Sequence, residues 1–92
     1  MRKVYLISYS LKGTSRDYSG FFNTLKNFPY WWNYLDSTWL ISTHHNSAPD
    51  VYNELASYLN TEDYVFVVEI SSSASYEGWL PQDAWDWLRS HL

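Results

Sequence analysis

The chain contains no cysteine in 92 residues, which excludes a disulfide framework, a thiol nucleophile and a thiolate metal site. No apolar run approaches the length of a bilayer span or of a signal-peptide core, so the sequence reads as a cytoplasmic protein with no membrane partner. Cations are scarce as well. Six Lys and Arg stand against ten Asp and Glu, for a formal net charge of -4, which argues against broad, sequence-independent phosphate binding by clustered Lys and Arg.

The few cations are unevenly placed. Arg2, Lys3, Lys12, Arg16 and Lys26 fall in residues 1–28 against Asp17 alone, whereas Arg89 faces all the remaining carboxylates in residues 29–92. One basic edge around the first strand and helix can still meet a single phosphate, or the acidic remainder of another copy.

Aromatic residues are abundant instead, at 21% of the chain with 6 Trp, 9 Tyr and 4 Phe. Such side chains bury large areas and need partners for their N–H or O–H groups. The surplus hints at a second buried surface, such as a dimer interface or a stacking site. The chain length suits one modest core, so residues 1–92 are read as a single domain.

Val4 to Leu11 alternates yet is apolar on both faces, the pattern of a central strand covered twice. Tyr18, Phe21, Phe22, Leu25 and Phe28 keep helical spacing, with Asp17 as N-cap and Pro29 closing the segment. Trp31 to Thr43 reads as two aromatic strands around a polar Asp36-Ser37-Thr38 corner, a β-hairpin. Ser47 caps a second helix with Pro49 and Asp50 in its first turn and Val51, Leu55, Tyr58 and Leu59 as its buried stripe. Tyr64 to Ile70 reads as another interior strand, with Glu69 its only charge. After a short flexible loop at residues 71–75, Pro81 opens a last helix over 82–92.

That order, βαββαβ plus a C-terminal helix, predicts an α+β, ferredoxin-like fold: a four-stranded antiparallel sheet with two helices on one face. Two helices cover only one side of doubly apolar strands. The other side needs either the Trp-rich C-terminal helix or a second copy, and the reading favours a homodimer to which the tail contributes.

The run Lys3-Val4-Tyr5-Leu6-Ile7-Ser8-Tyr9-Ser10-Leu11, then Arg16-Asp17-Tyr18, then Trp31-Trp32-x-Tyr34-Leu35-Asp36-Ser37-Thr38-Trp39-Leu40-Ile41 resembles the short prokaryotic and phage proteins labelled SinR-like. Those are distantly similar to the small CRISPR-associated adaptation subunit and to VapD-type endoribonuclease toxins. The likeness covers nearly the whole chain. It implies a homodimer of ferredoxin-like units, a setting in phage defence or counter-defence, and, in the nuclease-like relatives, an Asp closing the first strand that holds a divalent metal near the dimer axis. This chain has Ser10 at that position. A neutral hydroxyl is a poor ligand for a hard cation, and Mg²⁺ sites rest on carboxylates and phosphate oxygens.

The expected function is therefore a non-catalytic dimeric binding module for a nucleotide-type ligand or a protein partner, with no cofactor and no metal residues. The alternative is a Mg²⁺-dependent endonuclease of the adaptation or toxin type, with Asp36 standing in for the missing carboxylate. The ligand residues expected are Ser10, Lys12, Arg16, Asp36, Ser37 and Trp39. Asp36 and Ser37 also have a plainer role in bonding the hairpin backbone. Arg16, the first-helix amides and Lys12-Gly13 could hold a phosphate, although the loop lacks phosphate-loop spacing. His44-His45 reads as a solvated turn, since neighbours in an extended segment point to opposite sides. Ser, His and Asp show no nucleophile-elbow spacing. Most of the six Trp read as core or interface, while a few could stack bases.

Overall fold

The computed structural model describes residues 1–13 and 17–92, so Arg16 lies outside the described residues. The elements are β1 (Lys3–Ser10), α1 (Ser19–Lys26), β2 (Tyr30–Leu35), β3 (Thr38–Thr43), α2 (Ala48–Leu55) with a 3₁₀ turn (Ala56–Tyr58), β4 (Tyr64–Ile70) and α3 (Gln82–His91). Antiparallel pairing joins the strands into one sheet in the order β2-β3-β1-β4. Among the described residues, no helix is long and apolar enough to cross a membrane.

The alternation in β1 assigns its two faces to two separate clusters. Tyr5 and Ile7 join Trp39 and Ile41 under α1 and α2, against Phe21, Leu25, Val51 and Leu55. Val4 and Leu6 turn the other way, with Trp32 and Leu40, and meet Ala84 and Leu88 of α3. Of the two covers expected for this second face, the C-terminal helix supplies one. Trp32 fixes it in place by donating its indole N–H to the Ala84 carbonyl at 3.3 Å, which satisfies the one polar atom of a buried ring.

Helix boundaries follow local chemistry. The Asp17 carboxylate accepts the Ser19 amide at 2.8 Å, but Tyr18 occupies the N-cap position and α1 begins at Ser19. That amide bond holds the Asp17 carboxyl below the usual range. Ser47 stands at the N-cap of α2, yet its hydroxyl donates to Asp50 at 3.1 Å instead of accepting from the backbone. α2 ends at Leu55, earlier than the apolar spacing predicts, and Tyr58 leaves the buried stripe to lie against Gly20 of α1. A Cβ at Gly20 would come within 2.5 Å of that ring, so the close approach depends on glycine.

The expectation of an interior strand at 64–70 is corrected: β4 is a sheet edge that pairs with β1 alone among the described residues. Val65 and Val67 pack toward α1 and α2, whereas Tyr64 and Phe66 lie on the face that α3 only partly covers. The pattern is apolar on both sides, but only one side is covered. The other edge, β2, carries an extra residue between Trp32 and Leu35. There the Asn33 side-chain amide donates to the carbonyls of Leu35 and Thr38, each at 3.1 Å, and this bulge blunts the edge.

His91 closes α3 with its ring 4.2 Å from that of Trp87 and 4.8 Å from that of Tyr30. Burial first, and the nearby Arg2 charge second, lower its pKa. The folded state therefore binds this proton less readily than the unfolded chain. Stability from the neutral ring is complete above about 6.5 and is lost as pH falls toward the depressed folded value. In urea titrations between about pH 7 and pH 5, His91→Gln is expected to flatten the decline in midpoint. An unchanged slope would contradict this assignment.

Candidate functional site

The end of β1, the β2–β3 corner and the start of β4 meet at one end of the sheet. The Tyr9 amide donates to the Ser37 carbonyl at 3.1 Å, which seats the hairpin corner beside β1, and Ser10 stands opposite Tyr64 in the β1–β4 register. Lys12 follows directly, its amide donating to Asp63 Oδ1 at 2.9 Å and its ammonium lying 5.6 Å from the centre of the Tyr64 ring. Four of the expected ligand residues, Ser10, Lys12, Asp36 and Ser37, thus share this end of the sheet.

Trp39 is placed differently. It is only 3% exposed because it stands opposite Ile7 on the α1–α2 face. Its indole N–H donates to the Tyr9 hydroxyl at 3.1 Å, and its ring sits 5.2 Å from Trp31 and 6.3 Å from Phe22. No face is left on which a base could stack. Burial, together with the Asp36 charge, raises the Tyr9 hydroxyl above its ordinary pKa against the opposing Trp39 hydrogen bond. Ser37 adopts φ 63°, the left-handed region in which a side chain stores strain.

The carboxylates at this end do not assemble a hard-cation site. Asp63 accepts from the Lys12 amide and the Tyr18 hydroxyl through Oδ1, and from the Asn60 amide through Oδ2. It serves as the hub of two loops. Asp36 and Ser10 remain, and among the described residues no three His, Asp or Glu side chains converge. A neutral hydroxyl adds little to a carboxylate as a ligand for Mg²⁺, whose sites rest on one or two carboxylates and phosphate oxygens.

A second constellation lies at the opposite end of β3, in an open cleft of about 700 Å³ between α1 and α2, lined by Asn27, Phe28, His44, His45, Glu54 and Tyr58 among others. Thr43 Oγ1 lies 2.8 Å from His45 Nδ1, and His45 Nε2 lies 3.1 Å from Glu54 Oε1. With the proton on Nε2, the ring donates to Glu54 and accepts from the Thr43 hydroxyl. Tyr5 adds a hydroxyl bond to the His45 carbonyl at 2.8 Å. His45 is thus held on several sides, not left in a solvated turn. The order hydroxyl, imidazole, carboxylate is that of a nucleophilic triad, but Thr43 is 2% exposed and cannot reach a substrate. The i, i+2 spacing of Thr43 and His45 was a visible signal. Glu54 carried none, because only the packing of α2 brings it near.

Family models, curated proteins and solved structures yield no match to this chain. The resemblance to SinR-like proteins accordingly rests on the residues quoted for it.

Two variants test these geometries. Ser37→Gly is expected to stabilise the fold by up to about 1 kcal/mol in chemical denaturation by relieving the positive φ; destabilisation would place a structural bond on the serine hydroxyl. His45→Ala strands a buried hydroxyl and should cost about 1–3 kcal/mol, most of it recovered in Thr43→Val/His45→Ala. Simple additivity in that double-mutant cycle would contradict the hydrogen-bond chain.

Proposed function

We propose that the protein is a non-catalytic, dimeric binding module built on a ferredoxin-like unit. The strand order β2-β3-β1-β4, with α1 and α2 together on one face, supports the ferredoxin-like reading. The observation that carries the binding reading is the unequal cover of the second face. α3 closes it over Val4, Trp32 and Leu40, while Tyr64 and Phe66 stay 68% and 64% exposed beyond the reach of the helix. Val68, two residues further along β4, extends the same apolar surface. Exposed apolar area of this kind marks an interaction surface, and β4, which pairs with β1 alone among the described residues, adds a sheet edge beside it. A second copy is the first partner such a surface serves.

A nucleotide-type ligand is the second reading. It is favoured by one arrangement: the Lys12 ammonium over the Tyr64 ring, with Ser10 opposite Tyr64 in the ladder. An aromatic face, a single cation and a hydroxyl suit a mononucleotide or short strand better than duplex. A role in phage defence or counter-defence is suggested by the resemblance alone.

Sedimentation velocity at micromolar concentration is expected to give a dimer, weakened at least about tenfold by Phe66→Asp with no change in the far-UV spectrum. A stable monomer would overturn the dimeric reading. Calorimetry with mono-, di- and cyclic nucleotides addresses the ligand, and absence of heat would leave the protein partner alone. Cleavage of labelled RNA or DNA with Mg²⁺ or Mn²⁺, abolished by Asp36→Ala, would replace binding with the endonuclease alternative.

A further inference from the structure

The segment between β4 and α3 presents a contradiction in apolar exposure. Trp79 is 98% exposed, the worst position for the largest apolar side chain. The segment that carries it also walls an apolar cavity of about 420 Å³, whose lining includes Leu35, Leu40, Ile70, Tyr76, Trp85 and Leu88. That volume lies within the range of cavities that hold small organic groups. Thr38, Ser75 and Glu77 also line it and offer oxygen acceptors suited to an indole N–H.

Trp79 stands outside the cavity that its own segment walls. Residues 74–81 make neither turn nor bend, and Ala74, Ser75, Tyr76, Glu77 and Leu80 of this segment line the cavity. Tyr76 stacks on Trp85 with ring centres 6.4 Å apart, and Leu80 packs against the cluster that holds α3. Trp79 is not among the lining residues and stays exposed.

We propose that Trp79 of each copy inserts into this cavity of the other, in a reciprocal two-fold contact. The inference rests on the dimeric reading above and names the contact that makes the dimer. An isologous interface requires one surface to carry both plug and socket, and here both lie on one segment. The exposed area is sufficient. Leu35, Tyr64, Phe66, Val68, Tyr76 and Trp79, at the exposures they show, present on the order of 800 Å², which is one partner's share of a standard interface. A buried Trp in an apolar pocket is also the commonest form of an energetic anchor.

Sedimentation equilibrium on the wild type, Trp79→Ala and Thr38→Phe, which narrows the socket, tests the proposal. Each variant is expected to weaken the dimer by at least about 30-fold. Trp79→Ala should leave the thermal melt of the monomer unchanged, since its ring touches little in the free chain. An equimolar mixture of the two variants keeps one intact plug and socket, and should form a heterodimer tighter than either homodimer. A wild-type dimer that Trp79→Ala leaves equally tight would overturn the exchange and spare the dimeric reading, whereas a monomeric wild type would overturn both. In ¹⁹F spectra of 5-fluorotryptophan protein, a Trp79 resonance buried at every concentration would place the ring in its own cavity and also defeat the proposal.

Discussion

β1 and its neighbour β3 carry apolar side chains on both faces, and the need for two covers organises the rest of the chain. One face receives α1 and α2 and closes completely around Tyr5, Ile7, Phe21, Leu25, Ile41, Val51 and Leu55. With each fully buried large side chain contributing about 1.5–3 kcal/mol, this face dominates folding. The other face has fewer buried residues and depends on a single ten-residue helix, α3. Isolated helices that short are marginal in water, so α3 persists because Trp32, Ala84 and Leu88 hold it. The weaker cover is also the incomplete one. The exposed aromatic surface, the apolar cavity and the open β4 edge all lie where α3 falls short.

Much of this architecture was readable because its signals are local. The two-faced alternation of β1, the helical spacing from Tyr18 to Phe28, the hairpin around Asp36-Ser37 and the Pro81 start of α3 each depend on a few neighbouring residues. The errors came from tertiary context. An apolar run such as Tyr64 to Ile70 looks the same whether both faces are covered within the chain or one waits for a partner. α2 gives up its last predicted turn because Tyr58 finds the bare backbone of Gly20, a contact 38 residues away in sequence that no periodicity announces.

The candidate site divides along the same line. Ser10, Lys12, Asp36 and Ser37 share one end of the sheet because the hairpin corner bonds to the end of β1. Their grouping followed from topology once the strands were assigned. Trp39 was separable from them by parity, since it faces the same way as Ile41, the centre of the first core. The Thr43–His45–Glu54 chain was beyond sequence reasoning, because its carboxylate arrives from a helix whose packing angle is a property of the folded core.

Charge distribution bears on what this surface can recognise. The basic segment of the sequence does not fold into a basic edge. Arg2 lies 4.6 Å from the centre of the Tyr30 ring, and Lys3 bonds the Asn46 carbonyl at 2.9 Å and lies 3.7 Å from Glu69. Lys12 is at the far end of β1, over Tyr64 and next to Asp63. One strand thus separates Arg2 and Lys3 from Lys12, and each of these three has an aromatic, carbonyl or carboxylate neighbour. Surface pairs of this kind add little stability, but they remove the contiguous positive field that steers polyanions. Among the described residues, the Lys12 end presents the exposed Tyr64 and Phe66 rings, the Ser10 hydroxyl and one ammonium. Under the binding reading proposed above, recognition at this end would draw on apolar burial and stacking, contacts that favour a shaped partner over a long phosphate backbone.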